Sequence, residues 1–179
     1  MKSKTVPCQF RERESCLGEL LRFEEVGAIG EKAHNEGKSI VFTNGVFDIL
    51  HLGHLNYLEK SKKLGDLLVI GVNSDRSTRS IKGKGRPLNG ERDRALLLAG
   101  LKCVDIVVIF DEESPLEVIK KLRPDFLVKG SDYAVEEIVG KEEVESRGGE
   151  VRRIPLLEGY STTLLLQKIS DSVNSSDRQ

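Results

Sequence analysis

The sequence contains no tryptophan and only 5% aromatic residues, so its core has to come mostly from Leu, Ile and Val. It has three cysteines, Cys8, Cys16 and Cys103, with no CxxC and no Cys/His pair at zinc-ligand spacing. An odd count without such spacing argues against a disulfide framework or a zinc site, and for free thiols in a reducing cytosol. No apolar run approaches the roughly 18 residues of a membrane span. The opening stretch MKSKTVPCQFRERESC lacks the apolar segment of a secretory signal. Both absences point to a cytoplasmic protein with no membrane partner. Neither charge sign is in excess: the formal net charge is −1 over 179 residues, which argues against a nucleic-acid partner. Histidine is scarce too, with three in the chain, yet two of them fall together in VFTNGVFDILHLGH, at His51 and His54.

What is present is a rhythm. Residues 1–15 are polar and unpatterned, a flexible arm. Residues 16–37 carry Leu17, Leu20, Leu21, Val26, Ile29 and Ala33 at helical spacing and predict a helical N-terminal part. Apolar runs SIVFTN, LLVIGVN, VDIVVIF, DFLVKG and EVRRIPL then alternate with helical stretches, the last of which is STTLLLQKI. Alternating strands and helices predict an α/β fold: a parallel five-stranded sheet covered on both faces, within one domain over 16–171 and ahead of a flexible tail at 172–179. LLVIGV and VDIVVI are uninterrupted because a strand buried on both faces loses its alternation. In such sheets ligands bind beyond the carboxyl ends of the strands. That rim holds Thr43-Asn44-Gly45, Asn73-Ser74-Asp75, Lys129-Gly130 and the approach to Ser161.

Gly45 follows a buried strand, where a tight turn or a close ligand needs a residue without Cβ. His51 and His54 share a face of the next helix's first turn. That helix end offers free N–H groups and a positive dipole, suited to phosphate. On spacing alone, two surface histidines at a helix start is the simpler reading, and a zinc pair would lack a third nearby ligand. The segment Arg76–Arg86 holds five basic residues and no acid. By itself it reads as a solvated loop, and after the second strand as a phosphate-gripping lid.

The surrounding letters decide between these readings. NGVFDILHLGH resembles the Gly-x-Phe-Asp-x-x-His-x-Gly-His signature of the cytidylyltransferase-like nucleotidyltransferases, through Gly45, Phe47, Asp48, His51, Gly53 and His54. The resemblance extends from about Leu17 to Ile169 and implies a Rossmann-like three-layer fold with an N-terminal helical extension. It implies that His51, His54 and Lys82 are catalytic. Nucleotide contacts are implied for Thr43, Asn44, Gly45, Phe47, Gly53 and His54. The same role is implied for Arg94, eleven residues before Asp105, for Lys129, Gly130 and Asp132 in KGSDY, and for Ser161, Thr162 and Thr163 in GYSTT. Asp48, Asn73 and Asp75 are the implied contacts to the second substrate. No protein ligand to a metal is identified; Mg²⁺ is implied as the companion of the nucleotide.

Taken together, TNGVFDILHLGH, KGKGRPLN, DFLVKGSDY and EGYSTT most resemble heptose 1-phosphate adenylyltransferases. The resemblance implies transfer of the adenylyl group of ATP to a sugar 1-phosphate, with ADP-heptose and pyrophosphate as products. It also implies a homo-oligomer and a separate sugar kinase that supplies the substrate. The alternative is a cytidylyltransferase acting on glycerol 3-phosphate or a similar polyol or amino-alcohol phosphate. Those small enzymes carry an Arg-Thr pair where this chain has Leu156-Leu157, which disfavours them.

Overall fold

The computed structural model describes residues 18–132 and 134–176. The arm at 1–15, Cys8, Cys16, Tyr133 and residues 177–179 lie outside the described residues. Six strands form one parallel sheet in the order β1-β4-β3-β2-β5-β6: β1 (Glu19–Leu21), β2 (Ile40–Gly45), β3 (Leu67–Asn73), β4 (Ile106–Phe110), β5 (Phe126–Gly130) and β6 (Glu150–Ile154). The helices are α1 (Val26–Asn35), α2 (Leu52–Lys62), α3 (Asp75–Lys82), α4 (Glu91–Ala99), α5 (Leu116–Leu122), α6 (Lys141–Glu145) and α7 (Thr162–Ser176).

One core layer packs α1, α5 and α6 onto the sheet through Val26, Ala33, Ile119, Leu122 and Val144 against Phe42, Val108 and Leu127. The opposite layer packs α2 and α4 through Tyr57, Leu58, Ala95 and Leu98 against Val41, Ile70 and Val107. Adjacent residues of one strand, such as Val41 and Phe42, serve opposite layers. This is why the central strands are apolar throughout. Each such fully buried side chain contributes about 1.5–3 kcal/mol.

The chain moves from β2 to β3 to β4 on the α2/α4 face, then returns across the other face through α5 to β5. The strand order therefore reverses between β2 and β5. A crevice opens at such a reversal, outside the carboxyl ends of the strands.

Several local features differ from the sequence expectation. The sheet has six strands, because Glu19–Leu21 pairs in parallel with β4, with Glu19 opposite Ile106. The Leu20-Leu21 spacing suits a helix, but the open edge of β4 offers backbone partners that a helix would leave unmet. Gly18 makes the approach possible: its N–H donates to Ala99 O at 2.7 Å, and a Cβ there would come within 2.8 Å of Val104 O. Residues 75–82, expected as part of a loop, are helical. Ser74 caps them by accepting the Ser77 N–H at 3.0 Å, and Ser77 and Thr78 are buried. Only residues 83–90 remain as loop. The stretch after β5 is not one helix but a 3-10 turn (Val135–Glu137) and α6, separated by Gly140 at φ +89°. The helix expected at Ser114 starts at Leu116, with the Ser114 hydroxyl accepting the Leu116 N–H at 3.3 Å. Helix α7 takes in residues 172–176, which the sequence assigns to the tail.

Candidate active site

β2 ends at Asn44-Gly45, and the chain then turns sharply through Phe47 at φ +49°, a left-handed conformation that a bulky residue adopts only when its surroundings fix it. Gly45 leaves room beside it, since a Cβ there would stand 3.1 Å from the Phe47 ring. His51 caps α2: its Nδ1 accepts the His54 backbone N–H at 3.3 Å. That bond places the proton of neutral His51 on Nε2, leaving an outward donor. The two imidazoles stack with centroids 3.8 Å apart and 18° between planes, and Phe47 meets His54 edge-on at 5.2 Å. Burial, then the neighbouring His51, lowers the His54 pKa to about 4, and burial lowers that of His51. Both rings are therefore neutral donors at pH 7. Nδ1 of His54 is buried without a hydrogen-bond partner, which leaves Nε2 as its working atom.

A cavity of about 620 Å³ opens over this turn, a size suited to a small-molecule ligand. Asn44, Gly45, Phe47, Asp48 and His54 line it from the β2–α2 side, and Asn73 from the end of β3. Lys82, Lys129, Thr162 and Thr163 complete the expected set. α7 adds a second helix N-terminus, where the Ser161 hydroxyl accepts the Leu164 N–H at 3.1 Å. Lys129 donates to Asn44 Oδ1 across the β2–β5 reversal. Burial lowers its ammonium to about 8, against the opposing pull of Asp132.

The other residues singled out in the sequence stand outside the cavity lining. Thr43 is buried and bonds the Tyr57 hydroxyl at 2.7 Å. Arg94 is 0% exposed: it donates to Asn89 O at 2.9 Å, to Val46 O, to Asn73 O at 2.8 Å and to Asp75 Oδ1 at 2.9 Å. Asp75, held by Arg94, also gives its N–H to Glu91 at 2.7 Å. His51, Gly53, Gly130, Asp132 and Ser161 are likewise not among the lining residues. Asp48 reaches the cavity, yet its carboxylate is filled by the protein. It accepts from Arg86 at 2.7 Å, from Leu88 N at 2.7 Å and from Asn89 N at 3.0 Å. Burial works to raise its pKa, and the Asn89 N–H, Arg86 and the Leu88 N–H outweigh it and hold the group below the usual carboxylate range. Asp48 thus ties the loop after Lys82 to the α2 entry.

A family model described as cytidylyltransferase-like matches residues 42–168. The chain belongs to the cytidylyltransferase-like family. Among its relatives in this family, the bifunctional protein HldE of Syntrophotalea carbinolica is 54% identical over 148 residues, which is 83% of this chain and 30% of that protein. HldE of Geotalea uraniireducens is 52% identical over 150 residues, 84% of this chain and 31% of that protein. The chain thus spans about a third of the length of these relatives. A lipopolysaccharide core biosynthesis protein from Thermoplasma volcanium has a solved structure similar to this one, with TM-score 0.57 and 36% identity, covering 70% of this chain and 100% of that one. Pantoate-beta-alanine ligase from Francisella tularensis shares the fold, with TM-score 0.56 at 13% identity over 90% of this chain and 80% of that one.

The fold also brings residues to the cavity that no motif in the sequence marked: Ile81, Glu113, Ser114, Pro115, Glu137, Ile138 and Val139. Ile81 comes from α3, and the others come from the segments after β4 and β5, which only the return crossing through α5 sets beside the β2 turn. Among the described residues, no group of three or more His, Cys, Asp or Glu could hold a metal ion, and no helix is long and apolar enough to cross a membrane.

Proposed function

We propose that this chain transfers the adenylyl group of ATP to heptose 1-phosphate, releasing pyrophosphate and forming ADP-heptose. The observation that carries the reading is His54, stacked on the α2 cap His51 and sharing one cavity with Lys82, Lys129 and the start of α7. The relatives named HldE and the related lipopolysaccharide core biosynthesis protein support a sugar phosphate as acceptor. Leu156, whose side chain lies against Gly130, stands where small cytidylyltransferases carry their Arg-Thr pair, which disfavours the cytidylyl alternative.

A phosphate monoester is already a competent nucleophile, so its oxygen attacks the α-phosphorus without a general base. The protein's task is positioning and stabilisation of charge as it spreads over the phosphoryl oxygens. Neutral His54 donates to those oxygens, with Lys82, Lys129 and the free N–H groups of α7 around the triphosphate. Magnesium would enter with ATP as part of the substrate and would neutralise part of the phosphate charge. The phosphorylation that makes the sugar 1-phosphate belongs to another segment or chain.

Pyrophosphate release in the presence of Mg²⁺ tests the reading. We expect release with ATP plus heptose 1-phosphate and none with CTP plus glycerol 3-phosphate. The reverse pattern would leave the phosphoryl chemistry in place and overturn the choice of substrates.

The Lys129 environment adds a pH dependence. Its folded pKa of about 8 lies below the ordinary lysine value, so the cation is present below pH 8 and lost above it. Nucleotide capture, read as kcat/KM for ATP, should fall as pH rises through 8. Lys129→Met should lower kcat/KM and flatten that limb. A limb that persists in the variant would assign the titration to another group.

A further inference from the structure

The cavity is not uniformly basic. Alongside Lys82, Arg86 and Lys129 it is lined by Glu113 and Glu137, both exposed. Glu113 follows β4 and is anchored from one side only, with one carboxylate oxygen accepting from the Ser80 hydroxyl on α3. Glu137 belongs to the 3-10 turn after β5. Its neighbour Ile138 is 4% exposed and packs in the same core layer as Ile119 of α5, so the turn is held in place while Glu137 stays free. Among the described residues, neither glutamate has a cationic partner: Arg86 is engaged by Asp48, and Lys129 by Asn44.

Two carboxylates with free oxygens are a poor wall for a phosphate group, because like charges at close range repel. They suit the part of a ligand that carries no phosphate and many hydroxyls, since an ionised carboxylate accepts several O–H donors. The exposed side chains of Ile81 and Val139 in the same cavity offer an apolar surface to the C–H face of a sugar ring.

We propose that Glu113 and Glu137 are specificity-determining residues that bind the hydroxyls of the sugar acceptor and reject a sugar bearing a second phosphate at its far end. This rests on the proposed transfer to a sugar 1-phosphate.

The test compares wild type with Glu113→Gln, Glu137→Gln and Glu137→Lys at saturating MgATP. Heptose 1-phosphate is the acceptor and heptose 1,7-bisphosphate the challenger, with ATP affinity measured separately by calorimetry. Each glutamine variant should raise the acceptor KM about 10-fold, the loss expected for hydrogen bonds to an ionised group. ATP affinity should change less than about 2-fold. Glu137→Lys should cut the preference for the monophosphate about 10-fold or more, a gain that misfolding does not produce. An unchanged acceptor KM in both glutamine variants would overturn the proposal. So would a parallel loss of ATP affinity, or a defect cured by raising Mg²⁺, which would make these carboxylates metal ligands. If wild type prefers a different sugar 1-phosphate, the choice of heptose fails, and the same shift with that sugar still supports the wall. Wild type that is inactive with every sugar phosphate overturns both.

Discussion

Replacing His54 with alanine is expected to lower kcat by about 10²–10³-fold, the usual loss when one donor aimed at developing charge is removed. Among the imidazoles, His54 is the one that lines the cavity, and His51 supports it by capping α2 and stacking on its ring. The expected change in folding stability at pH 7 is small by comparison. The substitution loses the contacts with His51 and Phe47, but it also removes a buried Nδ1 with no partner, a group that costs about 1–3 kcal/mol to bury. The same variant reads out the titration. The folded pKa of about 4 lies below the unfolded value, so the unfolded chain takes up the proton first as pH falls. Wild-type stability attributable to this group is complete above about pH 6.5 and declines by about 3 kcal/mol as pH approaches 4. Denaturant melts of His54→Ala at several pH values should lack that part of the decline. Retained turnover in the variant would remove His54 from the chemistry.

Replacing Arg94 should break the framework beneath the site. The guanidinium is fully buried and joins Val46 after β2, Asn73 at the end of β3, Asp75 at the start of α3 and Asn89 ahead of α4. Arg94→Ala leaves three carbonyl groups and a carboxylate without their donor, a loss of about 3–5 kcal/mol. For a chain of this size that lowers Tm by roughly 10 °C or more. Arg94→Lys should recover little, because an ammonium on a flexible stem does not reproduce a planar fork with several fixed donors. This separates a clamp from a nucleotide contact. A clamp variant loses Tm with or without ATP, whereas a nucleotide contact would raise the KM for ATP while Tm stayed close to wild type.

The difference between these two arginine readings shows where the sequence is informative. The strands after Ser39 and the turn at Asn44–His54 are legible because local physics repeats itself there: continuous apolar runs, a glycine after a strand, two imidazoles one helical turn apart. Arg94 sits at a motif position, but its role depends on what surrounds it in space, and residues 46, 73, 75 and 89 converge on it only in the folded chain. Asp48 is a similar case. Its spacing from the histidines belongs to the signature, while its partners Arg86, Leu88 and Asn89 lie some forty positions away. Glu113 and Glu137 carry no local pattern at all. β1 was hidden for a related reason: Leu17, Leu20 and Leu21 have helical spacing, and only the open side of β4 makes Glu19–Leu21 a strand.

Gly53 lies between His51 and the approach to α7. A Cβ at this position would stand 3.0 Å from His51 Nδ1 and 3.0 Å from Tyr160 Cβ. The two positions are therefore unequal in their freedom to change. What Gly53 meets at position 160 is a Cβ, an atom that every residue except glycine possesses, so the side chain there can drift without closing the gap. Position 53 has no such latitude: even one added carbon presses on the ring that caps α2 and on the segment that leads into α7. A change of bulk at residue 160 is therefore the cheaper one, while a side chain at position 53 has to displace two neighbours at once.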